Sequence, residues 1–243
     1  MKIPIIYVGC GNFSLQRLQV LIDGSQFKPV ACVDIDIEKA RIGLGSLKGN
    51  VPEGLTEKVY TTITEAKEKH NAKVCFIHAA ASAHSELVTE SLEQGLHTFC
   101  VKVIACNQKE FKDIMKVHRS NHELMLVQGF NNQWNEAAAK MREWLQNDNG
   151  IGKMLGGECI CWGRQNLKTE PPQTDITNEG MFFNALACHQ LSQLVAAKGL
   201  PQYVTAYVHD RKEPDLDFRG VWGTSGGQCL FEYPGGVPFS YTG

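Results

Sequence analysis

Two glycines and an acid near the start of this chain have types and spacing suited to binding. Gly9-Cys10-Gly11-Asn12-Phe13-Ser14 follows a short apolar run and opens a helical pattern. Gly9 permits a tight turn, and Gly11 lets the backbone approach a pyrophosphate with no Cβ in the way. The first helical residues, Asn12 and Phe13, then offer free N–H groups and the positive end of the helix dipole. The third position, which must be small where helix and strand pack closely, is Ser14. Asp34 closes the second strand about 20 residues later, where a carboxylate accepts ribose hydroxyls and repels a 2′-phosphate. This set predicts NAD in preference to NADP. Lys39 and Arg41 lie near enough to soften that preference.

A second chemical candidate is Lys102. It follows Phe99-Cys100-Val101 and so sits at the carboxyl end of a strand, the edge where ligands bind in open α/β sheets. Lysine is costly to bury there without a partner. No metal site is expected: Cys159 and Cys161 are one residue apart, too close for the usual zinc spacing, and alternation along a strand accounts for them. The nine cysteines are an odd number scattered through apolar runs, which predicts reduced thiols and a cytoplasmic protein. His118 and His122 have no glutamate placed for a metalloprotease. Ser225-Gly226-Gly227 reads as a turn, not a nucleophile elbow.

These residues must be held by elements that alternate. Ile3 to Val8, Pro29 to Val33, Val74 to Ile77, Thr98 to Val101 and Leu124 to Val127 read as short buried strands. Between them run a helix with Phe13, Leu18, Leu21 and Ile22 on one face and a helix from Ser82 to Glu93. A third opens on an Asn107–Glu110 capping box, with Phe111, Ile114, Met115 and His118 turned inward. Strands alternating with helices predict an α/β, doubly wound parallel sheet, a Rossmann domain over residues 1–128. Residues 129–243 predict an α+β domain with a largely antiparallel sheet. Its elements are a helix from Asn135 to Leu145, a strand from Lys153 to Trp162, a loop from Thr169 to Glu179 and a helix from Gly180 to Lys198. Strands Tyr203 to Val208 and Cys229 to Tyr233 follow, with a turn at Pro234-Gly235-Gly236.

Composition narrows the function classes. Hydrophobic residues are 43% and charged residues 21%, ordinary for a globular enzyme. A formal net charge of −2 gives no long-range attraction for nucleic acid or anionic lipid. No run approaches the roughly 20 apolar residues of a membrane span, and the opening residues lack a secretory signal.

The stretch from Phe76 to Lys102 resembles the glucose–fructose oxidoreductase/inositol dehydrogenase/MocA (Gfo/Idh/MocA) family. The family's Thr-Pro-Asn-x-x-His-like segment is matched by Ala79-Ala80-Ala81-Ser82-Ala83-His84, its Gly-Lys-His-Val by Gly95-Leu96-His97-Thr98, and its Glu-Lys-Pro by Val101-Lys102-Val103. Asn149-Gly150-Ile151-Gly152-Lys153 is similar to a family segment leading into the C-terminal sheet. Gly180 through Pro201 is similar to the one carrying an Asp-x-x-x-His pair, with His189 kept and Ala185 at the aspartate position. The resemblance implies hydride transfer between NAD(P) and a sugar, polyol or related hydroxyl compound. It places His84 and Lys102 with the cofactor-binding set. It also implies that Lys102 hydrogen-bonds the reacting oxygen and that His189 is the general base or acid, work suited to a group titrating near neutral pH. Val101, Val103 and Ala185 depart from the pattern, so the alternative is a dinucleotide-binding sensor or scaffold with an impaired active site. An unrelated Rossmann methyltransferase would lack the match at Gly180 to Pro201.

The chain stops at Phe239-Ser240-Tyr241-Thr242-Gly243, within a strand-like run. A fragment, or a shortened family member with its sheet edge covered by another subunit, is expected. The expected partners are a small carbohydrate-like substrate and a second copy of the chain, joined through the C-terminal sheet.

Overall fold

The computed structural model describes residues 2–24, 26–146, 152–153, 155–161, 187–210 and 224–243. The chain divides into two compact units, Met1–Gly129 and Phe130–Gly243.

In the first unit, strands β1 (Ile3–Val8), β2 (Phe27–Val33), β3 (Val59–Tyr60), β4 (Val74–Ile77), β5 (His97–Val101) and β6 (Leu126–Gly129) alternate with five helices. These are α1 (Asn12–Gly24), α2 (Ile37–Gly45), α3 (Ile63–Lys69), α4 (Ala81–Glu93) and α5 (Gln108–Ser120). The sheet order is β3-β2-β1-β4-β5-β6, and every pair is parallel. The order reverses between β1 and β4, which opens a crevice at the carboxyl ends of the strands.

Burial on both faces explains the unbroken apolar runs. On one face Ile5, Tyr7, Cys32 and Phe76 pack against Leu15, Leu18 and Ile22 of α1 and Ala40 and Leu44 of α2. On the other, Ile6, Val8, Val33, Cys75, Ile77 and Cys100 meet Ile63 and Ala66 of α3, Val88 and Leu92 of α4, and Ile114 of α5.

Two predicted faces need correction. Phe13 is not on the buried stripe of α1 but 65% exposed, and Ser14, Leu15, Leu18 and Ile22 are buried instead. Phe13 is five positions from Leu18, about 140° around the helix, so one face cannot hold both. Likewise Ile114 is the buried residue of α5, and Phe111 is 48% exposed. The capping box of α5 is as expected, with the Glu110 amide donating to Asn107 Oδ1 at 3.0 Å.

The elements α2, β3 and α3 were not anticipated. Their signals are local: Asp36 accepts from the Lys39 amide and Thr62 from the Glu65 amide, both N-caps.

The second unit holds a short 3-10 turn (Asn131–Trp134), α6 (Glu136–Gln146), β7 (Gly157–Ile160), α7 (Cys188–Lys198), β8 (Tyr203–Asp210), β9 (Thr224–Tyr233) and β10 (Val237–Thr242). The sheet order is β7-β10-β9-β8; β10 runs parallel to β7, and the other pairs are antiparallel. Cys229, Phe231 and Tyr233 point inward, onto Tyr241 of β10 and Ala187 and Leu194 at α7. Gln228, Leu230 and Glu232 alternate outward. Cys159 and Cys161 pack against the same core, as alternation requires, and none of the nine cysteines is in a disulfide. Gly235 and Gly236 take positive φ at 86° and 73°, which turns β9 back into β10. The predicted loop at Thr169–Glu179, Trp162, Ala185 and the first part of the Gly180–Lys198 helix lie outside the described residues.

Candidate functional site

The loop after β1 is built around Gly9. Its φ is +88°, its amide donates to Val33 O at 2.8 Å, and a Cβ added to it would lie 2.6 Å from the carbonyl oxygen of His78. No other residue fits between the turn and the end of β4. Gly11 differs: a Cβ there would meet nothing within 4 Å. Among the described residues, the space above Gly11 is open. Asn12 and Phe13, both exposed, begin α1 at its positive end. The Arg17 guanidinium lies 4.7 Å over the Phe13 ring.

Ser14 does more than fill a small space. Its hydroxyl donates to Gly9 O at 2.5 Å and lies 3.1 Å from the Tyr7 hydroxyl. Tyr7 in turn donates to Ser14 O at 2.7 Å. Burial pushes the Tyr7 phenol well above its ordinary range, so it stays a donor.

Asp34 stands where the spacing placed it, just beyond β2. Its Oδ2 accepts the Cys10 amide at 2.7 Å, and its Oδ1 accepts the Asp36 amide at 3.0 Å. A carboxylate has further lone pairs, so these bonds fix its orientation without exhausting it as an acceptor. The two nearby cations are engaged with other acids: Lys39 pairs with Asp36 and Arg41 with Glu38, each at 3.0 Å. The sequence reading missed Ile35, which is 96% exposed directly beside Asp34 and presents an apolar surface.

The carboxyl end of β4 carries His78, also missed. Its ring is stacked with Tyr7 at 5.0 Å and with Phe99 at 5.9 Å. Burial, with contributions from Arg17 and His84, lowers its pKa to about 4, so the ring is neutral at pH 7. Its buried Nδ1 has no hydrogen-bond partner among the described residues. Only the parallel register, Tyr7 beside Phe76 and Phe76 beside Phe99, makes these residues neighbours.

His84, on the first turn of α4, is 1% exposed. Its Nδ1 lies 2.6 Å from Val103 O and its Nε2 lies 2.9 Å from Ala79 O. Lys102 is half-buried just past β5, and the Lys102–Val103 peptide is cis. Gly9, Gly11, Asn12, Phe13, Asp34, His84 and Lys102 thus all lie on segments leaving the carboxyl ends of parallel strands. His189 belongs to the second unit, half-buried in the first turn of α7, where its carbonyl accepts from Ser192 Oγ at 2.9 Å. Among the described residues, no group of three or more His, Cys, Asp or Glu could hold a metal. No helix among them is long and apolar enough to cross a membrane.

Residues 3–129 match the Gfo/Idh/MocA family, described as an oxidoreductase family with an NAD-binding Rossmann fold. An inositol 2-dehydrogenase/D-chiro-inositol 3-dehydrogenase of Lactiplantibacillus plantarum is 28% identical over 175 residues, 72% of this chain and 46% of that protein. An uncharacterized oxidoreductase of Schizosaccharomyces pombe is 25% identical over 162 residues, 66% of this chain and 43% of that protein. The chain therefore spans about half the length of these relatives. Among solved structures, myo-inositol 2-dehydrogenase from Lactobacillus plantarum superposes with a TM-score of 0.77 at 19% identity, over 100% of this chain and 70% of that one. The WlbA dehydrogenase from Bordetella pertussis, in complex with NADH and UDP-GlcNAcA, gives 0.80 at 17% identity, over 99% and 66%. These likenesses show the fold. The chain belongs to the Gfo/Idh/MocA oxidoreductase family, and residues 3–129 are its NAD-binding Rossmann fold.

Proposed function

We propose that this chain binds NAD at the β1–α1 and β2–α2 loops and serves an oxidoreductase that acts on a sugar, polyol or related hydroxyl compound. The observation that carries the reading is the Asp34–Cys10 bond, which fixes a ribose-accepting carboxylate against the glycine loop. The diphosphate would lie over Gly11 and the amides of Asn12 and Phe13, where a Cβ meets open space. Ile35 offers its exposed side chain to the adenine. The charge of Asp34 repels a 2′-phosphate, and Lys39 and Arg41 are paired with other acids, so NAD is favoured over NADP.

NAD, when bound, supplies the hydride acceptor. Lys102 hydrogen-bonds the reacting oxygen and holds positive charge beside it, so that the oxygen gives up its proton more readily. The proton is assigned to His189, following the family resemblance. Relatives named as inositol dehydrogenases favour a polyol substrate. The outward face of the second sheet, with Tyr203, Tyr207, Leu230 and Ile160 more than half exposed, supports a homo-oligomer. Nine cysteines with no disulfide among them support a reducing, cytoplasmic location.

The test is a screen of inositols, other polyols and aldoses for NADH formation. Turnover that disappears in both Lys102→Ala and His189→Ala supports the proposal. Tight NADH binding with no turnover on any of these compounds assigns the chain to a sensing or scaffolding role instead. Turnover that survives His189→Ala removes that residue's role.

A further inference from the structure

We propose that His84 is a positioning residue, which ties the turn after β4 to the segment carrying Lys102 through the two nitrogens of one buried ring. The proposal rests on the reading of Lys102 as the lysine beside the reacting oxygen.

The ring is 1% exposed, so it does not itself face a ligand in bulk solvent. Its Nδ1 meets the carbonyl oxygen of Val103 at 2.6 Å, and its Nε2 meets that of Ala79 at 2.9 Å. Val103 directly follows Lys102, and Ala79 directly follows His78, whose own carbonyl packs under Gly9. One imidazole therefore stands between the backbone under the glycine loop and the backbone that aims the lysine. A neutral ring has one N–H to donate, and a doubly protonated ring has two. With its proton on Nδ1, a neutral ring donates to Val103.

The restraint matters because of what occupies position 103. A proline there would fix φ by its own ring, and valine does not. The bond from His84 to the carbonyl of that same residue supplies a restraint from outside. Because it enters through an α4 side chain, it is invisible in the local sequence around Lys102. A lysine displaced by even about 1 Å from its reacting oxygen loses much of its effect on rate.

The side-chain amides separate the two bonds. Asn places its donor near the position of Nδ1, and Gln places its donor near that of Nε2. The full chain is reductively methylated with 13C, and the Lys102 dimethylamino signal is identified by its absence in Lys102→Arg. In His84→Gln, which keeps the Ala79 side, the Lys102 signal is expected to shift and broaden. kcat on any polyol that is turned over should fall about tenfold or more. His84→Asn, which keeps the Val103 side, should restore both the signal and kcat. A Lys102 signal unchanged in His84→Gln and in His84→Ala overturns the proposal. If the variants do not fold, the 15N spectrum of the wild-type histidines decides: a slowly exchanging proton on Nδ1 of His84 supports the bond to Val103, and a bare Nδ1 overturns it. The lysine signal reports placement whether or not a polyol is turned over, so a failure here is distinct from a failure of the oxidoreductase reading.

Discussion

The amide of Cys10 donates to Oδ2 of Asp34 at 2.7 Å, across 24 residues of sequence. The acid that ends β2 thereby holds the loop that ends β1, and a second amide, from Asp36, holds its other oxygen at 3.0 Å. Asp34 is thus an organiser of the glycine loop as well as a candidate ribose acceptor.

Removing that carboxylate should have two separable effects. A hydrogen bond to a charged group contributes about 1.5–3 kcal/mol, so Asp34→Ala is expected to weaken NADH binding by about tenfold to a hundredfold. NADPH binding should weaken less, because the repulsion of its 2′-phosphate disappears with the charge. Fluorescence titrations with both nucleotides measure the ratio. A preference for NADH that is unchanged in Asp34→Ala would remove Asp34 from the selectivity argument.

Gly9 and Gly11 predict opposite phenotypes. Gly9→Ala sets a Cβ 2.6 Å from His78 O and demands φ near +88°, so the fold itself should lose at least about 2 kcal/mol. On a domain of this size that is about 5 °C in melting temperature. Gly11→Ala meets open space, so melting should be nearly unchanged while NADH affinity falls at least about tenfold. Equal losses of stability in both variants would contradict the division of labour between them.

The glycine turn and the position of Asp34 were legible because their signals are local. Gly9, Gly11 and Asp34 carry the pattern in one βαβ unit, and the structure adds the bonds of Ser14 to Gly9 and Tyr7, the bond of Asp34 to the Cys10 amide and the exposed Ile35. What was not legible depends on neighbours distant in sequence. His78 becomes meaningful only when β1, β4 and β5 align Tyr7 and Phe99 about its ring. Phe13 was misplaced because an apolar residue in the first turn of a helix was counted toward the core, although α1 buries Ser14 and Leu15 there. The strand β3 is two residues long, too short for any period to show. The aspartate position of the Asp-x-x-x-His pattern, Ala185, lies outside the described residues.

His78 gives stability a pH dependence with a definite sign. Its pKa is lowered from 6.5 to about 4 in the folded chain, chiefly by burial. Between those values the unfolded chain takes up a proton that the folded chain refuses, so stability falls as pH drops from about 6.5 to about 4. Below that window both states are protonated and the contribution is fully lost, at most ~3 kcal/mol. His78→Phe keeps a ring between Tyr7 and Phe99 and should flatten this acid limb. Denaturant melts across the window test it; an acid limb equally steep in both proteins would place the proton uptake elsewhere.

Lys102→Ala separates binding from chemistry. On the proposed role, turnover should fall by more than about a hundredfold, because a charge beside the reacting oxygen is lost, and NADH affinity by less than about tenfold. Stopped-flow single turnovers with a polyol that the wild-type chain oxidises would distinguish the two. A loss confined to NADH affinity would make Lys102 a cofactor ligand and nothing more.

The central claim is that NAD rests its diphosphate on the amides that open α1, and amide NMR tests it most directly. In a titration of the 15N-labelled chain with NAD, the largest shifts are predicted at Gly11, Asn12 and Phe13, with Ile35 moving beside the acid at Asp34. Saturating NAD that leaves those four amides in place, while others move or none do, would contradict it.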